Sequence, residues 1–230
     1  MSLAGIVPLV AGVLAAAFAA MVWGQFSARR RPYQLAWALG LTAYSAASFI
    51  EAYVGSAPWS VALFRVYFPL AAATVGLLGL GSVLLARVNL GTALYAALTG
   101  LAVLVALMGP FALSLSPDTT VKLADGTVTT LRDAGPALGA APVPLPNPGR
   151  VAFLLLNVVG GLALIGGALW SWWRTRRLGV LLIGVGAILP FTGGSLSDLL
   201  HLDVRVALQA VGIVVMFVGY LQGRETPRAA

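Results

Sequence analysis

His201 is the only histidine in the chain; Asp198 precedes it by three residues and Asp203 follows it by two. Positions i and i+3 of a helix share a face, so Asp198 and His201 stand together if the helix runs that far. With Glu51 they would offer a mixed oxygen–nitrogen set to a metal, or an acid–base pair to an intramembrane hydrolase. Zinc sites of that kind draw on several histidines, and a lone histidine in a polar turn is more commonly just hydrogen-bonded. We therefore expect no metal, no cofactor and no catalytic residue. The cluster, which ends at Arg205, reads as ligand-binding or ion-pairing side chains.

A second group lies earlier. Glu51 falls about one turn inside the end of one apolar segment, and Arg65 about one turn inside the start of the next, with Tyr67 beside it. Segments joined by a short connection run antiparallel, so the two charges sit at matching depth and could pair. A close pair only partly offsets the desolvation of both ions. The bland reading is a salt bridge locking two helices, and the sharper one is a proton or ligand site with Arg65 as counter-ion. Pro190, Gly193 and Gly194 precede Asp198. Proline removes a helical hydrogen bond and glycine loosens the turn, so the sequence predicts a kinked or partly unwound helix there.

These residues need a scaffold, and composition names its class. The chain of 230 residues is 60% hydrophobic and 9% charged, against roughly a quarter charged in an ordinary soluble domain. Soluble enzymes, disordered chains and disulfide scaffolds are excluded, and with no cysteine so is thiol chemistry. Apolar runs long enough for a ~30 Å hydrocarbon core occur at about 3–22, 35–54, 61–86, 90–114, 151–172, 178–196 and 204–220. The predicted fold is an all-α, single-domain, seven-transmembrane helix bundle.

An odd number of crossings puts the termini on opposite sides, and charge chooses between them. Arg29, Arg30, Arg31, Arg87, Arg174, Arg176, Arg177, Arg224 and Arg228 share one side, against Arg65, Lys122, Arg132, Arg150 and Arg205 on the other. The positive-inside rule then gives an N-terminus outside and a C-terminus in the cytoplasm of a bacterial inner membrane. The acids, apart from Glu225, fall on the outer side. The arginine excess is thus topogenic and its partners are membrane lipids, not nucleic acid. Arginines follow the first segment and none precedes it, so we expect a retained anchor and not a signal peptide. Trp23, Trp170, Trp172 and Trp173 on the inner side and Trp59 on the outer read as interfacial aromatics.

The long connection is an outer loop at 114–150. Asp125-Gly126 between β-favouring strings predicts a β-hairpin near 120–130 with a two-residue type I′ turn, followed by a stiff stretch bearing Pro136, Pro142, Pro144, Pro146 and Pro148. Lid, docking surface and solvated linker are all open readings. The first and last three segments also share landmarks: Trp23 to Arg29 repeats as Trp170 to Arg176, Arg31 to Glu51 as Arg177 to Asp198, and Arg65 as Arg205. That spacing suggests a parallel duplication of 3+1+3 segments.

The stretch from Leu35 to Leu85, with Trp37, Glu51, Phe64-Arg65-Val-Tyr67 and Gly79-Leu-Gly81, together with Gly166-Gly-Ala-Leu-Trp170, resembles a group of small prokaryotic seven-transmembrane proteins. More distantly it is similar to the seven-helix sensory regions of bacterial histidine kinases. That resemblance implies a sensor, but with ten residues after Tyr220 any signalling output is expected from a separate protein partner. Microbial rhodopsins share the number of spans; the single lysine, Lys122, lies in the loop, which excludes a retinal Schiff base. The sequence thus points to a non-enzymatic, receptor-like or accessory membrane protein binding a ligand, lipid or protein at its outer face. The alternative is a small-solute or proton-coupled transporter built on the repeat.

Overall fold

The computed structural model describes residues 3–85, 90–108, 114–122, 127–134, 147–200 and 205–225; side chains are described for these except 3–4, 90, 122, 147, 150, 191–200, 205–206 and 223–225. Seven helices fall within them: α1 (Leu3–Arg29), α2 (Pro32–Val54), α3 (Val61–Leu85), α4 (Leu90–Met108), α5 (Asn147–Thr175), α6 (Leu178–Leu200) and α7 (Arg205–Glu225). Two short strands, β1 (Thr120–Lys122) and β2 (Val128–Thr130), separate α4 from α5.

Several helices outlast the apolar runs that announce them. α1 continues past Val22 to Arg29 because hydrogen bonding, unlike hydropathy, does not end where lipid ends. It stops at Arg30, whose φ of 51° is left-handed and whose N–H donates to Phe26 O at 2.7 Å. Such a residue after the last turn satisfies carbonyls the helix leaves open. α5 ends identically at Arg176, with φ 53° and an N–H donating to Trp172 O at 2.7 Å. In both turns the guanidinium lies over the capping aromatic ring, Arg30 over Phe26 and Arg176 over Trp172.

Helix α6 corrects the expectation of a partly unwound turn. It runs unbroken through Pro190, Gly193 and Gly194 to Leu200. The proline is accommodated from outside: a Cβ on Gly212 of α7 would lie 2.8 Å from Pro190 Cδ, so the absence of one gives the ring its space.

The helices close a ring in the order α1–α2–α3–α5–α6–α7, with α7 returning to α1, while α4 lies outside against α3 and α5. Close approach is set by glycines. At the α3–α5 crossing, a Cβ on Gly160 would lie 2.6 Å from Val75 O and 2.9 Å from Gly76 Cα. Small residues let backbones meet where lipid supplies no hydrophobic drive to associate.

The exterior is apolar. On α4, Leu94, Leu98, Leu101 and Leu104 recur on one face and are each more than half exposed, a surface that water would not tolerate. By length and composition α1, α3, α4 and α5 can each cross a membrane, over Gly5–Arg29, Val61–Leu85, Gly91–Met108 and Val151–Thr175. Shorter apolar stretches lie in α6 (Leu178–Pro190) and α7 (Ala207–Gln222). The chain is a membrane helical bundle.

Strands β1 and β2 are antiparallel, with Thr120 opposite Thr130 and Lys122 opposite Val128. A two-residue turn at Asp125-Gly126 on an unbroken ladder would instead set Lys122 opposite Thr129. The register is therefore one residue from that expectation; residues 123–126 themselves lie outside the described residues.

Candidate functional site

Counting back from Glu51 in helical steps along α2 gives Ser48, Tyr44 and Leu41, one face of one helix. On α3 the corresponding face runs Tyr67, Ala71, Thr74 and Leu78. All of these line a cavity of ≈160 Å³ at the centre of the ring, completed by Asn157 of α5, Pro190 of α6 and Gln209 of α7 among others. Small residues on both sides of this space, Ala47 and Ala71 on α2 and α3 and Gly161 and Ala187 opposite, are among its lining.

At one end of the cavity the Tyr67 hydroxyl donates to Glu51 Oε1 at 2.6 Å, and both side chains are about 95% shielded, with exposures of 5% and 6%. That length is within the range of a hydroxyl bonded to a carboxyl oxygen. Farther in, the Tyr44 hydroxyl donates to Gln209 O at 3.3 Å, linking α2 to α7. Thr74 and Asn157 donate to carbonyls of their own helices, at Leu70 and Phe153. An amide keeps its oxygen as an acceptor after such a bond, so the wall combines a carboxylate, an amide oxygen and phenols with a mostly apolar surface.

The roof is built from the two connections at this end. Trp59, between α2 and α3, is 2% exposed and sets its ring edge-on to Tyr67, centroids 5.2 Å apart. Its backbone N–H donates to Arg132 O at 3.2 Å. Val121, Leu131 and Ala134 of the long connection are buried in the same cluster as Trp59, Phe64, Tyr67 and Phe153. Trp59 is thus a roof beam and not the interfacial aromatic its position suggests. The connection is likewise more than a solvated linker. The Arg132–Asp118 ion pair on its outer side is 3.4 Å long and exposed, and contributes little.

The residues singled out from sequence distribute unevenly. Glu51 and Tyr67 come together. Arg65, half-buried, stands two positions before Tyr67 and hence far around α3 from the cavity-lining face. Asp198 is on α6 and Arg205 opens α7, both placed by backbone alone, while His201 and Asp203 lie outside the described residues. Among the described residues no three His, Cys, Asp or Glu side chains cluster as a metal site would require. Tyr44, Ser48, Thr74 and Gln209 belong to the site without having been picked out by charge. For Tyr44, Ser48 and Thr74 the signal was periodicity, since each continues a stripe at helical spacing from Glu51 or Tyr67; Gln209, on α7, carried no such signal.

No family model matches the sequence, and comparison with curated proteins and with solved structures finds none similar to it.

Proposed function

We propose that the chain is a non-enzymatic, receptor-like protein of a bacterial inner membrane that binds a small ligand in the cavity beside Glu51. Seven crossings are supported by length: even α4, with 19 residues, rises about 28 Å at ~1.5 Å per residue, close to the ~30 Å of a hydrocarbon core. The arginine distribution supports an N-terminus outside and a C-terminus in the cytoplasm. The Glu51 end, with the roof over it, is then the outer face.

One observation carries the reading: a carboxylate buried at membrane depth, held by Tyr67, on the wall of a cavity large enough to receive a molecule. Ionisable groups at such depth are costly and mark functional sites. The site suits a ligand with a hydrogen-bond-donating or cationic head for Glu51 and a compact apolar body.

The test is retention. Protein purified in mild detergent is extracted and its small molecules are identified by mass spectrometry, alongside Glu51→Gln and the double variant Glu51→Gln, Asp198→Asn. The native chain should retain a molecule that both variants lose. Equal retention by the double variant overturns the site. Reporter fusions after Ala230 test the orientation, which fails if only a periplasm-dependent reporter is active.

A further inference from the structure

The two ends of the chain are built alike. After Arg30, Arg31 O accepts from Gln34 and Leu35; after Arg176, Arg177 O accepts from Val180 and Leu181, at matching distances of 3.0 and 3.3 Å against 3.1 and 3.3 Å. Nine residues beyond each second arginine stands a glycine pressed on the next helix. A Cβ on Gly40 would meet Leu78 Cγ at 3.0 Å and Leu78 N at 3.2 Å; one on Gly186 would meet Met216 Cγ at 2.6 Å and Met216 N at 2.7 Å. Three residues after Leu78, Gly81 admits the Trp37 ring; three after Met216, Gly219 admits Leu182 and Ile183. Trp37 and Ile183 each follow their turn's second arginine by six.

An offset of 146 residues therefore relates the α1–α2 turn and α2 to the α5–α6 turn and α6, and one of 138 relates α3 to α7, so the second unit is eight residues shorter between its last two helices. Arg30 pairs with Arg176, one step from the Arg29–Arg176 match suggested by tryptophan spacing. The ring order sets the two units face to face about a pseudo-two-fold axis. α4 lies outside the ring, as a helix must that returns the chain so that the second unit has the orientation of the first.

A second cavity, of ≈110 Å³, lies toward the arginine end, lined by Val22, Trp37, Ser82, Ser171, Ile183 and Tyr220 among others. Leu41, Leu78, Leu164 and Met216 line both cavities. They form the layer between, and Leu78 and Met216 are equivalents in the two units. An apolar cavity of about 150 Å³ accepts benzene, so the first chamber suits a solute of roughly that size and the second, at ≈110 Å³, a smaller one unless it widens.

We propose that the protein carries a small organic solute across the membrane between these two chambers. The solute sets a donor or cationic group against Glu51, then passes the Leu41–Leu78–Leu164–Met216 layer as the two three-helix units tilt against each other. This rests on the ligand site proposed above and adds that the site opens to both faces in turn.

The chain has no cysteine, so Ser48→Cys places a single thiol on the wall of the first chamber. Protein reconstituted in one orientation in sealed vesicles is treated on one face at a time with membrane-impermeant 2-(trimethylammonio)ethyl methanethiosulfonate. Modification is expected from both faces. Filling the layer with Met216→Trp, or with Leu164→Phe should the first not fold, is expected to lose the reaction from the arginine face and keep that from the Glu51 face; a melting curve identifies folded variants. Modification from the Glu51 face alone in the unfilled protein overturns carriage and leaves one-sided binding standing. No modification from either face overturns both readings. Folded variants that keep both reactions overturn the layer as the barrier.

Discussion

Tyr67→Phe removes one oxygen and leaves the edge-on ring contact with Trp59 in place, so it isolates the Tyr67–Glu51 hydrogen bond. The bond is 2.6 Å long and both partners are buried; hydrogen bonds to charged groups contribute about 1.5–3 kcal/mol. For a chain of this size each kcal/mol lowers the melting temperature by about 2–4 °C, so a loss of roughly 6 °C in detergent is expected. Replacing the acceptor supplies the control. Glu51→Gln keeps an oxygen in place but removes its charge, and a neutral pair is about half as strong. In that background Tyr67→Phe should cost about half as much, giving a coupling near 1 kcal/mol. Melting curves of the four proteins of this cycle measure it. An equal Tyr67→Phe effect in both backgrounds, or an effect below about 0.5 kcal/mol in the native one, refutes the expectation that Glu51 is a charged acceptor held by Tyr67.

Gly160→Ala should destabilise by about 1–3 kcal/mol, since its methyl would strike Val75 O and Gly76 Cα across the α3–α5 crossing. Gly166→Ala has no atom within 4 Å of its new Cβ and should be neutral or stabilising by up to about 1 kcal/mol; parallel melting curves check both, and equal effects would refute the crossing. Trp59→Ala should cost about 3–5 kcal/mol and expose the 114–134 segment to protease, read as faster cleavage there by peptide mapping. Arg30→Pro should cost about 3 kcal/mol or more, because proline can neither adopt the left-handed φ nor donate to Phe26 O; Arg31→Ala, beside it, should melt within about 0.5 kcal/mol of native.

Sequence conveyed depth well and azimuth poorly. Hydropathy located the helices because lipid penalises polar groups wherever they fall along a span, and Glu51 stood out for the same reason. The face that Glu51 shares with Ser48, Tyr44 and Leu41 needed only the helical period. Which helices face one another depends on glycine fits such as Gly160 against Val75, and a glycine in an apolar run looks the same whether it meets a backbone or lipid. Leu78 and Met216 were invisible for that reason: nothing in their type separates them from Leu94 or Leu98 on the outer face. Trp59 had the right depth for an interfacial ring, but the packing of Val121 and Leu131 over it arises from a connection more than fifty residues downstream.

The position of α4 makes the ring unequal. It buttresses the α3–α5 seam from outside, whereas α1 and α7, which form the other seam between the units, meet with no such splint among the described residues. If the units part, the unsplinted seam yields first and the buttressed one serves as the pivot. On the proposed carriage, a molecule arriving sideways, dissolved in the bilayer, would meet one helix fewer on the α1–α7 side than on the α3–α5 side.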